Sequence, residues 1–166
     1  QILHSLTKHD SRVSVTRNVA NTGFPVATDR LLQHAAGEYL YRADSDDVCH
    51  PKFLETLVNC FDAVDKSKYR ILGSRCLYLD EHDRCWGRRR VSSYAMPQQA
   101  FLEKLLLGNF LLAPGLLYLT QQVRESGGFS LQPITNSADW HMTLRVAMDG
   151  GLYFYGTSLA AYRQHR

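Results

Sequence analysis

The chain has 166 residues, 45% of them hydrophobic and 21% charged, a make-up that excludes disordered and fibrous classes and points to an ordinary globular protein. Nineteen Lys and Arg against 16 Asp and Glu leave +3 with His neutral, too small an excess to make a nucleic acid or an anionic membrane the main partner. One domain over residues 1–166 is the expectation.

The most apolar stretch, residues 105–119, is interrupted by Gly108, Asn109, Pro114 and Gly115. It falls short of the roughly 20 apolar residues that a spanning helix needs, so membrane contact is expected only through segments outside this sequence. Cys49, Cys60, Cys76 and Cys85 form no C-x-x-C pair and keep no zinc-finger spacing to His. They are read as small packing residues of a protein in a reducing, cytoplasmic compartment. The sequence shows no signal peptide and opens at Gln1 with Ile2, Leu3 and Leu6 already at helical spacing, so a fragment of a longer chain is expected.

In chain order, the β-branched alternation of Val13 and Val15 predicts a strand over 12–17, running into an Asn- and Gly-containing loop that ends at Gly23. Ala27, Leu31, Leu32 and Ala35 predict a helix over 26–36 with Gly37 as its C-terminal cap. A short aromatic strand over 38–43 runs into Asp44-Ser45-Asp46-Asp47. Pro51 suits the first turn of a helix whose stripe is Phe53, Leu54, Leu57, Val58 and Phe61.

Residues 69–79 read as a strand, and 80–90, with seven acidic or basic side chains and one His among eleven positions, as a solvated hairpin or loop. A helix over 98–107, a buried strand over 115–120 and a break at Gly127-Gly128-Phe129 follow. Trp140, Leu144, Ala147 and Met148 mark a last helix, stopped by Gly150-Gly151 before a strand over 152–155 and an irregular tail. Strands alternating with helices predict an α/β layered domain, whose ligands gather beyond the carboxyl ends of the strands.

The acidic turn lies at such an end. Side chains two apart on an extended backbone share a face, so Asp44 and Asp46 can present oxygens to one divalent cation. Mg²⁺ is commonly held by one or two carboxylates with substrate phosphates and water completing its shell, so the spacing suits a metal–diphosphate complex. The plainer reading is that Asp46 or Asp47 caps the helix that follows.

The run Asn21-Thr22-Gly23, Ala27, Ala36-Gly37-Glu38-Tyr39-Leu40, Asp44-Ser45-Asp46-Asp47, Pro51 and Leu54-Glu55 resembles the middle of the family 2 nucleotide-sugar glycosyltransferases, which are inverting enzymes. Later landmarks follow in the same order: Ser126-Gly127-Gly128-Phe129, Ala138-Asp139-Trp140, Leu144-Arg145 and Tyr162-Arg163-Gln164-His165. The resemblance implies a GT-A-type, Rossmann-like three-layer α/β/α fold with a mixed sheet, lacking its first N-terminal strands. It implies Asp44 and Asp46, with His165, as ligands of Mn²⁺ or Mg²⁺, and Asp44, Asp46, Asn21 and Gly23 as donor-binding residues. Asp139 is implied as the general base.

The expected partners are a nucleotide-sugar donor and a saccharide or lipid-linked acceptor, in polysaccharide or glycan synthesis. Taken alone, Asp139 also reads as a first-turn helix acid and Trp140 as a core anchor. Thr28, Asp29 and Ala138 stand where the family usually has Arg, often has Asn and usually has Glu, which predicts an altered donor grip and a base acting without a neighbouring acid. The alternative is a carbohydrate- or protein-binding module without turnover. A phosphotransferase using a paired Asp as nucleophile is less favoured, for want of Thr and Lys neighbours. Arg88-Arg89-Arg90 reads as a solvated face before an anion site.

Overall fold

The computed structural model describes residues 2–87, 90–130 and 137–165. Its helices are α1 (Ile2–His9), α2 (Gly23–His34), α3 (Phe53–Asp62), α4 (Gln98–Leu107), α5 (Thr120–Glu125) and α6 (Ala138–Ala147). Its strands are β1 (Tyr39–Tyr41), β2 (Val48–Cys49), β3 (Tyr69–Leu79), β4 (Cys85–Trp86), β5 (Tyr94–Met96), β6 (Leu116–Leu119) and β7 (Gly151–Arg163).

Side chains alternate between the two faces of a strand, and that alternation divides the interior in two. On β3, Ile71 joins Leu32, Phe101, Leu105, Val123, Met142 and Val146, whereas Leu72 joins Phe53, Leu57 and Phe61. On β6, Leu116 and Tyr118 share the first core and Leu117 and Leu119 the second. Helices α2, α4, α5 and α6 therefore cover one face of the sheet and α3 the other, giving three layers. Phe53, Leu57 and Phe61 recur every four residues along α3 and are fully shielded from water. Each such side chain contributes about 1.5–3 kcal/mol relative to exposure.

The strands form one mixed sheet, ordered β1-β6-β3-β7-β2, with β4 on β3 and β5 on β7. β3 and β7 run parallel, and the other pairings are antiparallel. Where β6 enters beside β3, a Cβ on Gly115 would stand 2.6 Å from both Cys76 Sγ and the Ser74 carbonyl oxygen. Only glycine allows that approach.

Several local expectations are corrected. Residues 12–17 are not a strand: among the described residues no partner strand meets them, Val15 is exposed, and Arg12 folds back onto the Asp10 carboxylate. α2 begins three residues earlier than expected and ends before Gly37; Ala35 turns into extended backbone, and the Arg124 guanidinium donates to the Leu32 and Ala35 carbonyls. The last carbonyls of the helix are thus satisfied by an arginine instead of a left-handed glycine.

The irregular tail expected after residue 155 is instead the second half of β7. This strand follows β3 as far as Leu79↔Arg163, with register shifts between Ser74 and Cys76 that absorb the break at Gly156-Thr157-Ser158. β7 also receives β5 along its first half and β2 near its end. Among the described residues no helix is long and apolar enough to cross a membrane. Arg88 and Arg89 lie outside the described residues, and Arg90 forms a bridge with Thr157.

Candidate active site

The acidic turn is carried between two strands. The chain leaves β1 at Tyr41, the Asp47 amide donates to the Asp44 carbonyl, and β2 then pairs with Ala160 and Ala161 of β7. That pairing sets residues 44–47 against the end of β7, where Arg163 ties them down. Its amide donates to Asp47 Oδ1 at 2.8 Å, its Nε to the Asp46 carbonyl at 2.9 Å, and its Nη1 to the Asp80 carbonyl at 2.8 Å. Its Nη2 pairs with Asp83 at 2.8 Å.

The helix-cap reading of the acids does not describe this structure. The residue before α3 is Lys52, and no side chain caps that helix. The three carboxylates instead face other partners. His165 Nε2 lies 2.7 Å from Asp46 Oδ2, and this hydrogen bond holds the Asp46 carboxyl below the usual carboxylate range. Burial raises Asp44, with Asp46 and Asp139 adding to the rise and Arg42 opposing it. Burial also raises Asp47, whose Oδ2 is shielded from water and has no hydrogen-bond partner.

Asp139 comes to the same place from the other core. It lies in the first turn of α6, where the helix dipole favours a carboxylate, and its Oδ1 accepts the Trp140 amide at 2.8 Å. Its Oδ2 is 3.5 Å from Arg42 Nη2, and the same nitrogen is 2.8 Å from Asp44 Oδ2. One guanidinium nitrogen therefore spans the acidic turn and the carboxylate at 139. A cavity of about 350 Å³, lined by Phe24, Leu40, Arg42, Asp44 and Phe129 among others, opens beside it.

The floor of this arrangement is built from α2 and the loop before α6. Arg42 lies over the Phe24 ring at 4.7 Å, and Phe24 meets Phe129 edge-on at 6.2 Å. The Asp29 carboxylate accepts the Phe129 amide at 2.6 Å and the Ser130 amide at 2.8 Å. From α6, Arg145 donates to the Ser126 carbonyl at 2.6 Å and to the Gly128 carbonyl.

Asn21 and Gly23 make the turn that starts α2. The Asn21 carboxamide accepts the Gly23 amide at 2.9 Å, and Gly23 has φ +75°. Their described hydrogen bond serves this turn, which places Phe24 beneath Arg42. Thr28 donates to the Phe24 carbonyl within α2, and Ala138 is packed in the core. The Trp140 indole donates to the Leu105 carbonyl and its ring packs against the core, the anchoring role that its helical position suggests.

The sequence reading missed Arg42 as part of this region, quoted Arg163 only within a landmark, and placed Asp29 near the donor without identifying the amides it accepts. Arg42 had a signal, since it sits two residues before Asp44 on extended chain and so shares its face. Asp29 is marked by the resemblance alone, since its bonds to the Phe129 and Ser130 amides reach across about a hundred residues.

A divalent cation fits the donor set in a limited way. Among the described residues no three His, Cys, Asp or Glu side chains form a ready-made cage. Two carboxylates, with side chains 34% and 43% exposed, and an orphaned carboxylate oxygen on Asp47 match a hard cation that takes its remaining ligands from substrate oxygens and water.

Three layers around a mixed sheet, with charged residues gathered beyond the ends of its strands, define an α/β protein of the kind that binds its ligand at that edge. The chain belongs to Glycosyl transferase family 2, whose model matches residues 1–164. It is similar to EpsE of Bacillus subtilis (strain 168), which carries a provisional glycosyltransferase assignment, with 29% identity over 73 residues. That match covers 44% of this chain and 26% of EpsE.

Among solved structures it resembles S. aureus TarS 1–349 in complex with UDP, at a TM-score of 0.68 and 14% identity, over 98% of this chain and 47% of that one. Against S. aureus TarS the TM-score is 0.70 at 16% identity, over 98% of this chain and 28% of the other. The fold is thus the GT-A type, and the chain spans half or less of the length of these relatives.

Proposed function

We propose that the protein transfers a sugar from a nucleotide-sugar donor to an acceptor hydroxyl with inversion, in a reaction that depends on Mn²⁺ or Mg²⁺. The observation that carries this reading is the convergence of Asp44 and Asp139 on one arginine nitrogen, because it joins a diphosphate-binding end to a carboxylate able to accept a proton. Family membership and the neighbour solved with UDP support a nucleotide-sugar as the donor.

Asp44 and Asp46, with His165 on Asp46, would hold the cation. When bound, it supplies Lewis-acid stabilisation of the charge that builds on the leaving diphosphate. Asp139 takes the acceptor hydroxyl proton as that oxygen attacks the anomeric carbon. The bond from the anomeric carbon to the phosphate oxygen breaks on the opposite side, its electron pair leaves with the nucleoside diphosphate, and a single displacement inverts the centre. The acceptor is a saccharide or a lipid-linked molecule, and the cytoplasmic setting expected from the sequence belongs to the same proposal.

The test is turnover of UDP-, GDP- and dTDP-sugars by the full-length protein, with and without Mn²⁺, beside Asp46→Ala and Asp139→Asn. Metal-dependent transfer that falls about 10²–10⁴-fold in Asp139→Asn supports the base role. Equal rates in all three proteins would remove the enzymatic reading.

A further inference from the structure

We propose that Arg42 is a positioning residue of the transfer reaction, one that couples occupation of the acidic turn to the placement of Asp139. This rests on the reading above and goes beyond it, since it assigns a role to a side chain outside the acidic turn.

Arg42 Nη2 sits 2.8 Å from Asp44 Oδ2 but 3.5 Å from Asp139 Oδ2. The first contact is a close ion pair and the second a hydrogen bond at the limit of length. One nitrogen thus serves both carboxylates, bound to Asp44 by charge at short range and donating to Asp139 at long range. Arg42 is not free to leave: its side chain is only 17% exposed and its guanidinium rests on Phe24, which Phe129 and Asp29 keep in place.

When a divalent cation takes Asp44, the ion pair with Arg42 is given up and the guanidinium closes on Asp139 alone, shortening the 3.5 Å bond. The base is then held firmly only when the turn is loaded. Ala138 is core-packed and offers no neighbouring carboxyl for the task, which leaves the guanidinium as the group that fixes Asp139 from the side of the donor. The positive charge of Arg42 opposes cation binding at the same carboxylate.

Two effects of opposite sign follow for Arg42→Gln in the full-length protein. Mn²⁺ binding without substrate, followed by calorimetry, tightens about tenfold, because a like charge beside the site is gone. Turnover falls about 10²-fold, the usual cost of a misplaced catalytic group. Arg42→Lys, whose ammonium can bond both carboxylates, returns both values toward wild type.

A structural role alone would slow turnover while leaving Mn²⁺ binding unchanged or weaker, and either result overturns the proposal. Phe24→Leu gives a second measurement at a half-exposed position. It keeps the guanidinium but removes its support, so turnover falls several-fold, and unchanged turnover also counts against the coupling. Asp44→Asn separates this inference from the one beneath it. If that variant keeps both Mn²⁺ binding and turnover, the sugar-transfer reading itself fails. If it loses both while Arg42→Gln behaves as wild type, only the role of Arg42 fails.

Discussion

Gly128→Ala is expected to destabilise the protein through one carboxylate, and the size of the effect follows from the contacts. Gly128 has φ +71°, and a Cβ there would stand 2.3 Å from Asp29 Oδ1. The left-handed conformation costs an alanine about 1 kcal/mol. The carboxylate must also move, and it is the acceptor for the Phe129 and Ser130 amides. Hydrogen bonds to a charged group are worth about 1.5–3 kcal/mol each, so with both lost the total reaches about 4–7 kcal/mol.

Urea unfolding of the full-length protein measures this, provided the transition is two-state. The decisive comparison is the same substitution in an Asp29→Ala background. There the collision is gone and only the backbone term of about 1 kcal/mol should remain. If Gly128→Ala costs the same with and without Asp29, the collision is not the cause and the reasoning is wrong. Loss of turnover should accompany the single substitution, because Phe129 supports Phe24 and Phe24 supports Arg42.

Arg163→Ala should weaken Mn²⁺ binding about tenfold, since it removes the side-chain bonds that seat the turn and preorganisation is lost with them; amide exchange at residues 44–47 should quicken, and unchanged exchange would contradict this. Burial pushes the Cys76 thiol up to about 12, whereas Cys49 and Cys85 are exposed. A disulfide reagent at pH 8 should therefore label those two in the native state and Cys76 only after unfolding, as read by mass spectrometry of peptides. Desolvation raises the Asp80 carboxyl, but the Arg84 and His82 amides and the Arg84 guanidinium outweigh it and hold it at about 2. Its contribution to stability is therefore present above the ordinary carboxylate pKa of 3.8 and is lost as pH falls toward about 2. Urea midpoints for wild type and Asp80→Asn should converge over that window, and parallel curves would refute the assignment.

Much of the fold was legible because the relevant signals are local. The helix over 98–107 and the strand over 69–79 have the bounds that their spacing and composition predict. What failed was non-local. Val13 and Val15 carry a strand-like alternation, but a strand also needs a partner and residues 12–17 have none. β7 continues to Arg163 because β3 runs beside it and tolerates a shifted register at Ser74 and Arg75. Nothing in Gly156-Thr157-Ser158 announces that neighbour. Gly156 itself reflects the close approach of Val91, whose carbonyl oxygen would lie 1.9 Å from an added Cβ.

The site shows the same division at the level of chemistry. Asp44 and Asp46 are legible as a pair from a spacing of two on extended chain, but β1 ends at Tyr41 and the two stand in a turn closed by the Asp47 amide on the Asp44 carbonyl. The longer-range meetings are not legible: His165 meets Asp46 across 119 residues, and Arg42, the neighbour of Asp44, meets Asp139 across 97. No periodicity encodes such meetings. They arise because β1 and β7 deliver their ends to one edge of the sheet, with β2 as the stitch between the acidic turn and β7. The arginines follow from that convergence. Three carboxylates within four residues repel one another unless cations stand between or beside them, so a fold that brings Asp139 near Asp44 needs a positive group there before any metal arrives. Arg42 fills that place between Asp44 and Asp139, while Arg163, ion-paired with Asp83, holds the turn through the Asp46 carbonyl and its own amide and eases Asp46 by its charge. On the transfer reading proposed above, that one guanidinium, paired with Asp44 by charge and donating to Asp139, ties the acidic turn to the carboxylate that takes the proton.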